Sequence, residues 1–457
     1  MEKYDLIVIG AGSGLTVASK ASSMGMKTAL VEKGPMGGTC LNRGCIPSKA
    51  LLHAADIMAT IHDAGRFGIH VKEVSINFEE VMNWMKSVIQ GDAEGIEEAI
   101  EKDENTSLYK LEGKFVEDRV MKVGKEEITA DKIVIAAGIR EFVPPIKGLE
   151  RTGYLTSTTL LNNKKQPRSL AIIGGGYVGC EYAHFFARLG TEVTVIQRNK
   201  LLVPNEDMDI SLAFTDYFGT IVNVLTNSEA MEVEKTGDQK IVHIYDAKKK
   251  EEKILAFDEI LVAAGRVPNT DILAVENTGV KTDRKGFVIV DYYLKTSHKD
   301  VWAFGDIIGR YMFKHVANYE AEYVVYNALM GKNLKVDYSA VPHAIFTYPQ
   351  IAGVGMTERE ARAKNMKIKI GRYDYKKVGK AAAIGEEFGF GKSIIDADTN
   401  RILGFHMIGR DAAEIVHEAI VAMNSQGANA DTLLRSIHIH PTLAEVVPGI
   451  VGNIQDT

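Results

Sequence analysis

Two kinds of apolar patterning divide this chain. Short unbroken apolar runs predict strands buried on both faces of parallel sheets. They occupy residues 4–9, 27–31, 132–137, 170–173, 192–196 and 260–265. Apolar residues at helical spacing fill 50–103, broken by a glycine-bearing loop near 65–74. Met58, Ile61, Met82, Met85, Ile89 and Ile96 fall on that spacing, which predicts core packing. Alternation with turn signals over 108–129 predicts a small β-meander, and Pro144-Pro145 marks a crossover. A helix is expected from about His315 to Leu329. From Val341 the character changes, with strands near 367–370 and 388–395 and helical stretches at 411–426 and 429–436.

Two of the strand-to-helix turns are glycine-rich. Gly10-Ala-Gly12-Ser-Gly14 follows the first strand, a helix then runs to about Met24, and the next strand ends at Glu32. In such a βαβ unit the glycines let backbone N–H groups approach a pyrophosphate at the helix N-terminus, and the acid binds a ribose hydroxyl. Leu15 stands where the third glycine of G-x-G-x-x-G would fall, so the turn is shortened and Gly14 takes a shifted part. The second unit, Gly174-Gly-Gly176-Tyr177-Val-Gly179, is complete, and its helix carries Glu181. Two such units argue for two nucleotide cofactors with electron transfer between them. The position 23 past Gly174 is Gln197, followed by Arg198, Asn199 and Lys200. Loss of the acid with gain of cations fits a 2′-phosphate and hence NADP(H); the alternative is that these are solvated loop charges.

Composition narrows the class. At 457 residues the chain has room for about three domains. Its 46% hydrophobic and 25% charged residues are those of a soluble globular protein. A net charge of −6 gives no footprint for nucleic acid or an anionic membrane. No apolar run is long enough for a membrane span. A strand beginning by Tyr4 leaves no room for a signal peptide, and the expected location is the cytoplasm. Only three cysteines are present, too few for a disulfide scaffold. Cys40 and Cys45 are five positions apart, among small residues, with Pro47 in the first turn of a following helix. Cys45 then lies just before a helix N-terminus, whose dipole favours a thiolate. Only His53 is nearby, so neither a zinc site nor any other metal site is expected. The pair reads as a redox-active dithiol, and Cys180 as buried core. A second reactive group is His438-Ile-His440-Pro441-Thr442-Leu-Ala-Glu445. A turn can return the Glu445 carboxylate to His440, making a general acid/base with a raised pKa. His438 reads as a loop histidine, and His315 as a structural one.

Residues 37–49, Gly-Gly-Thr-Cys-Leu-Asn-Arg-Gly-Cys-Ile-Pro-Ser-Lys, closely resemble the active-site disulfide segment of the flavin-dependent pyridine nucleotide–disulfide oxidoreductases. The Pro-Ser-Lys ending looks like dihydrolipoamide dehydrogenases and mercuric reductases. Ala136-Ala137-Gly138, the Gly265-Arg266 boundary segment and the strand ending Gly305-Asp306 resemble further motifs of the family, so the likeness covers essentially the whole chain. It implies an α/β fold of two Rossmann-like dinucleotide-binding domains plus a C-terminal α+β dimerisation domain. The expected segments are 1–142 and 271–336 for FAD, 143–270 for NAD(P), and 337–457 for the interface.

The resemblance also implies roles. FAD would be held by Gly10, Gly12, Gly14, Glu32, Gly38, Thr39, Lys49, Ala137, Gly138 and Asp306. NAD(P)H would meet Gly174, Gly176, Tyr177, Gly179 and Arg198, and Gly265 and Arg266, in the boundary segment where the chain returns to the flavin domain, would also bind cofactor. Cys40 would be the interchange thiol and Cys45 the thiolate facing the flavin. Lys49 and Glu181 match the family's ion pair near flavin N5. Tyr177 sits where glutathione reductase covers an empty nicotinamide pocket, and its alternative is a helix-cap aromatic packed on the sheet. His440 and Glu445 would reach the disulfide of the other subunit of a homodimer. The function implied is oxidation of dihydrolipoamide with NAD(P)+, with NAD expected from the lipoamide resemblance. The enzyme could be free or bound in a 2-oxoacid dehydrogenase complex. Mercuric reductase is disfavoured because no cysteine follows Cys180. Two alternatives stand beside this reading. One is an NADPH-dependent reductase of a low-molecular-weight disulfide, resembling glutathione or mycothione reductase. The other is a non-catalytic flavoprotein assembly subunit.

Overall fold

The computed structural model describes residues 1–455. The first apolar run becomes the strand Glu2–Ile9, with Leu6, Ile7 and Val8 completely buried. It lies parallel to Thr28–Val31 on one side and Glu126–Ile135 on the other, within a seven-stranded sheet. Val301–Ala303 returns late in the chain to lie parallel to Glu126–Ile135. The expected meander is smaller than its alternation suggests. Thr106–Tyr109 joins the parallel sheet beside Thr28–Val31, and only Gly113–Glu117, Val120–Val123 and the start of Glu126–Ile135 pair antiparallel.

The second unit has a four-stranded parallel sheet in the order Asn223–Thr226, Glu192–Gln197, Ser169–Ile173, Glu259–Val262. A three-stranded antiparallel sheet, Ser228–Thr236 to Glu251–Phe257, accompanies it. The chain passes between the two units through the ribbon of Ile139–Glu141 and Arg266–Pro268. The C-terminal unit is a six-stranded antiparallel sheet that begins with Pro342–Ile345 and carries helices on its faces. Its predicted helix over 411–426 divides at Val416 into Ala412–Ile415 and His417–Asn424.

One core joins the three units. Leu51, Leu52, Met82 and Met85 from the helices after the cysteines pack with Phe185 and Phe186 of the second unit and Ile345 and Phe390 of the third. Each such side chain contributes about 1.5–3 kcal/mol on burial, so the helix that follows Cys45 is anchored by all three. A buried Lys392 adds an electrostatic tie, reaching Asp207 (2.8 Å), Asp209 (2.7 Å) and Glu358 (2.6 Å). No helix among the described residues is long and apolar enough to cross a membrane.

Candidate active site

The two cysteines sit on consecutive helices. Cys40 is inside the short helix Gly38–Asn42, and Cys45 is the first residue of Cys45–Asp63. The sequence placed Cys45 one step outside this helix. Gly44 takes the N-cap, with its backbone against Thr39 O, and this lets the helix begin one residue earlier. Both cysteines are thiols. The Cys40 thiol donates to Cys45, which drives Cys40 up and, with the Lys49 ammonium and the Cys45 backbone N–H, lowers Cys45 to about 7 against the opposing effect of burial. Lys49 stands one turn along the same helix. Its ammonium lies 2.9 Å from both carboxylate oxygens of Glu181 and 4.5 Å from the centre of the Phe346 ring. Glu181 also accepts the Phe346 N–H at 3.1 Å. Cys45, a cation and a buried carboxylate from two units of the fold are thereby brought together, with Phe346 of the third against them.

The residues expected to hold FAD surround this centre. Gly10 has φ +104°, and a Cβ there would stand 2.3 Å from Ala136 O. The turn at Gly12 and the start of the Cys40 helix are pressed together, because a Cβ on Gly38 would fall 2.7 Å from the Gly12 Cα. Thr39 follows in that helix. Gly14 is the first residue of the helix Gly14–Ser23, and a Cβ on it would meet Val8 at 3.0 Å. That is the close helix–strand packing a third glycine provides, displaced by one residue. Glu32 accepts the N–H groups of Ala11 (2.8 Å) and Gly34 (2.7 Å), fixing its carboxylate beside the turn. Ala137 O accepts Asn269 Nδ2 at 2.8 Å, and Gly138 O accepts the Asn269 N–H at 3.2 Å, so this strand end is tied to the returning boundary segment. Asp306 is pushed up to about 6 by burial, against the pull of Arg266 and Lys314. Its carboxyl has no hydrogen-bond partner among the described residues. Hydroxyls of a ribitol chain would satisfy this acceptor, so the residues present fit FAD.

Around the second turn, Gly174 and Gly176 precede the helix Tyr177–Arg188, and a Cβ on Gly179 would sit 2.0 Å from Gly174 O. Gln197 is buried, with its amide turned to Leu201 O at 3.4 Å, while Arg198 and Lys200 are exposed at the end of the strand. Gly265 has φ +131°. Arg266 bonds Ser157 at 3.2 Å and faces Glu141 at 3.8 Å, and its charge bears on Asp306. The Tyr177 hydroxyl donates to Glu206, which also accepts His343 Nε2 at 2.8 Å. Glu206, His343, Phe346 and Lys314 were not singled out from the sequence. They come from separate segments with no shared local pattern.

His440 and Glu445 meet at 2.8 Å (Nδ1 to Oε1), and Glu445 also closes a capping box with Thr442. Bonds from His440 and the Thr442 N–H hold the Glu445 carboxyl below its usual range. The chain does not bring this pair to its own cysteines. The His440 side chain is 74% exposed and lies against Gly379. Ile437, Ile439, Leu434 and Val421 are exposed too, an apolar surface of the kind that marks a protein interface. His438 lies in the loop, as expected, but it is not free in solvent. Its side chain is packed away and bonded to Glu418 at 2.8 Å and Ser436 O at 3.1 Å.

Comparison with known proteins agrees along the chain. Residues 4–321 match the family described as pyridine nucleotide-disulphide oxidoreductase, and residues 341–449 match its dimerisation domain. A dihydrolipoyl dehydrogenase of Chlamydia trachomatis serovar D is 35% identical, with 97% of this chain and 95% of that protein covered. A mercuric reductase of Staphylococcus aureus is 34% identical, over 97% of this chain and 81% of the other. The solved structure of the HOCl-induced flavoprotein disulfide reductase RclA from Escherichia coli superposes with a TM-score of 0.87 at 29% identity, covering 98% and 99% of the two chains.

Proposed function

This chain belongs to the pyridine nucleotide-disulphide oxidoreductase family, and on that premise we propose that it oxidises dihydrolipoamide at the Cys40–Cys45 pair. It is an FAD-dependent disulfide oxidoreductase that uses a nicotinamide nucleotide. The observation that carries the reading is Cys45, lowered to about 7 one helical turn from the Lys49–Glu181 pair.

With Cys40 and Cys45 joined as a disulfide, a substrate thiolate attacks the Cys40 sulfur. The S–S bond breaks, a mixed disulfide forms on Cys40, and Cys45 leaves as a thiolate. The Lys49 ammonium and the backbone N–H at the helix start favour the thiolate that leaves. His440 of the partner subunit takes the proton of the second substrate thiol. That thiolate attacks the substrate sulfur of the mixed disulfide, closing lipoamide and releasing Cys40. The proton held on His440 passes to the released Cys40 sulfur, restoring the thiol that donates to Cys45, and leaves to solvent when the pair is reoxidised. Glu445 orients the imidazole through Nδ1 and stabilises its charged form. Bound FAD supplies two-electron transfer between the dithiol and the nicotinamide. Lys49 places a cation where reduction adds negative charge. The exposed apolar surface around His440 supports a homodimer in which each subunit completes the other's site.

Exposed Arg198 and Lys200 beside an uncharged Gln197 favour NADP(H) and keep a second reading in play, NADPH-dependent reduction of a small disulfide. The deciding experiment presents dihydrolipoamide to the FAD-loaded protein with NAD+ and NADP+ side by side. Rapid reduction of either supports lipoamide chemistry and names the nucleotide. Absence of turnover with both overturns the lipoamide reading, and NADPH oxidation by a panel of small disulfides tests the second.

A further inference from the structure

The serine at the start of the first dinucleotide helix does not cap it. Ser13 is the N-cap of Gly14–Ser23, where a hydroxyl ordinarily accepts from an N–H of the first turn, yet its side chain makes no such bond. Its Oγ instead donates to Asn318 Oδ1 at 2.8 Å and accepts Lys314 Nζ at 3.0 Å. Lys314 and Asn318 stand four residues apart in the helix Lys314–Val324, so they share one face and clasp the serine between them. The first-turn N–H groups that the hydroxyl could have satisfied are left to an incoming anion.

Lys314 is badly placed for its own helix. It is the first residue, where the helix dipole disfavours a cation. It is partly buried, and holding so long a side chain in one place costs rotamer entropy. Its one hydrogen bond among the described residues goes to the neutral Ser13 hydroxyl. Its charge bears on both Asp306 and Cys40, so the ammonium stands inside the ring of residues expected to hold FAD. The turn has no cation of its own, since neither lysine nor arginine occurs from Gly10 to Ser19. A pyrophosphate arriving there brings negative charge that only a distant part of the chain can meet.

We propose that Lys314 is a cofactor-binding residue whose ammonium, held in place by Ser13, meets the FAD pyrophosphate at the first glycine turn. The Ser13 bond is a holding position. A neutral hydroxyl orders the ammonium without neutralising it, so its charge is available to the phosphate. The inference rests on reading Gly10–Gly14 as the FAD turn.

The test uses the full-length, FAD-loaded protein and the variants Lys314→Met, Lys314→Arg and Gly12→Ala. FAD affinity is read from free-flavin fluorescence on dilution, at low and at high salt, and the two-electron potential of the bound flavin is measured alongside. Loss of one charge-assisted phosphate contact should weaken FAD about tenfold or more in Lys314→Met at low salt. The difference should narrow at high salt. Lys314→Arg keeps the charge and should stay within about threefold of wild type. Lys314→Gln, polar and uncharged, carries the same expectation if Lys314→Met does not fold. The flavin potential should not move, because the pyrophosphate charge is the same before and after reduction. A tenfold shift of the reduction equilibrium, about 30 mV for two electrons, would put the ammonium at the flavin ring and overturn the pyrophosphate assignment. A loss that salt does not narrow and arginine does not rescue marks a packing role and also overturns it. Gly12→Ala separates this inference from the reading beneath it. A Cβ on Gly12 would meet only the Gly38 Cα, at 3.9 Å, so the fold accepts it and lost FAD affinity means that the cofactor needs the space. If Gly12→Ala weakens FAD and Lys314→Met leaves it within about twofold, the turn stands and the role of Lys314 is refuted. If neither weakens FAD, the reading of the turn fails and Lys314 with it.

Discussion

The acidity of Cys45 can be moved in opposite directions by the two members of one ion pair. Lys49 lies four residues along the helix, a separation of about 6 Å, and Glu181 is 2.9 Å beyond its ammonium. With an effective dielectric of about 20, a unit charge at about 6 Å contributes about 2.8 kcal/mol and one at about 9 Å about 1.8 kcal/mol of opposite sign. Lys49 is 35% exposed, and solvent roughly halves both. Since about 1.4 kcal/mol corresponds to one pH unit, Lys49→Met should raise the Cys45 pKa by about one pH unit, from about 7 toward its ordinary 9.0. Glu181→Gln keeps the side-chain shape and an acceptor for the Phe346 N–H but removes the negative charge. It should lower Cys45 by about two-thirds of a pH unit. The reporter is the long-wavelength thiolate–flavin band of the two-electron-reduced protein, titrated between about pH 5 and pH 10. Cys45→Ser, as the control, abolishes the band. Shifts of the same sign in Lys49→Met and Glu181→Gln, or no shift in either, would refute the assignment of Cys45 as the thiolate that this pair controls.

Other outcomes follow from the same geometry. His440→Ala should slow dithiol oxidation by about a hundredfold or more with FAD content unchanged, and a parallel loss of flavin would contradict its role as acid and base. Lys392→Met leaves Asp207 buried beside two further carboxylates and should cost about 3–5 kcal/mol, read as a lower urea midpoint; an unmoved midpoint rejects the tie. Burial pushes Asp207 up but Lys392 outweighs it and holds the carboxyl below 3.8. Its share of stability is therefore full above the ordinary carboxylate range and is lost as pH falls through the lowered folded value. Acid unfolding should begin at higher pH in Lys392→Met, and identical acid profiles would contradict that sign. Replacing Arg198 and Lys200 together by Ala should raise the KM for NADP(H) about tenfold or more and spare NAD(H). Equal effects on both nucleotides would return these cations to the solvent.

The parts of the site legible in the sequence are those whose residues are neighbours in the chain. Cys40, Cys45 and Lys49 lie on two consecutive helices within ten residues of chain, and His440 meets Glu445 five residues on. Buried strands announced themselves because both faces are covered, so their apolar runs are unbroken. Glu206 and His343 are 137 residues apart and touch only through a tertiary contact, which no periodicity encodes. Lys392 lies in a strand buried along nearly its whole length, and its burial depends on three carboxylates brought from elsewhere. Leu108 and Tyr109 were read into the meander because a two-residue end of a strand looks alike at the edge of a parallel sheet and in a meander. His438 lies in a loop as read, but its partner Glu418, twenty residues earlier on another helix, is a tertiary contact that the local sequence does not show.

The strand Pro342–Ile345 and its neighbour Phe346 belong to the C-terminal sheet, yet His343 grips the carboxylate under Tyr177 and the Phe346 N–H grips Glu181. The piece of chain that folds as a unit is thus not the piece that would have to be exchanged as a unit. A chimera cut at the start of the C-terminal sheet would bring in a foreign wall for the nucleotide cleft, even with both glycine turns left intact. In this architecture the boundary for recombination falls after Phe346, one strand later than the boundary of the fold.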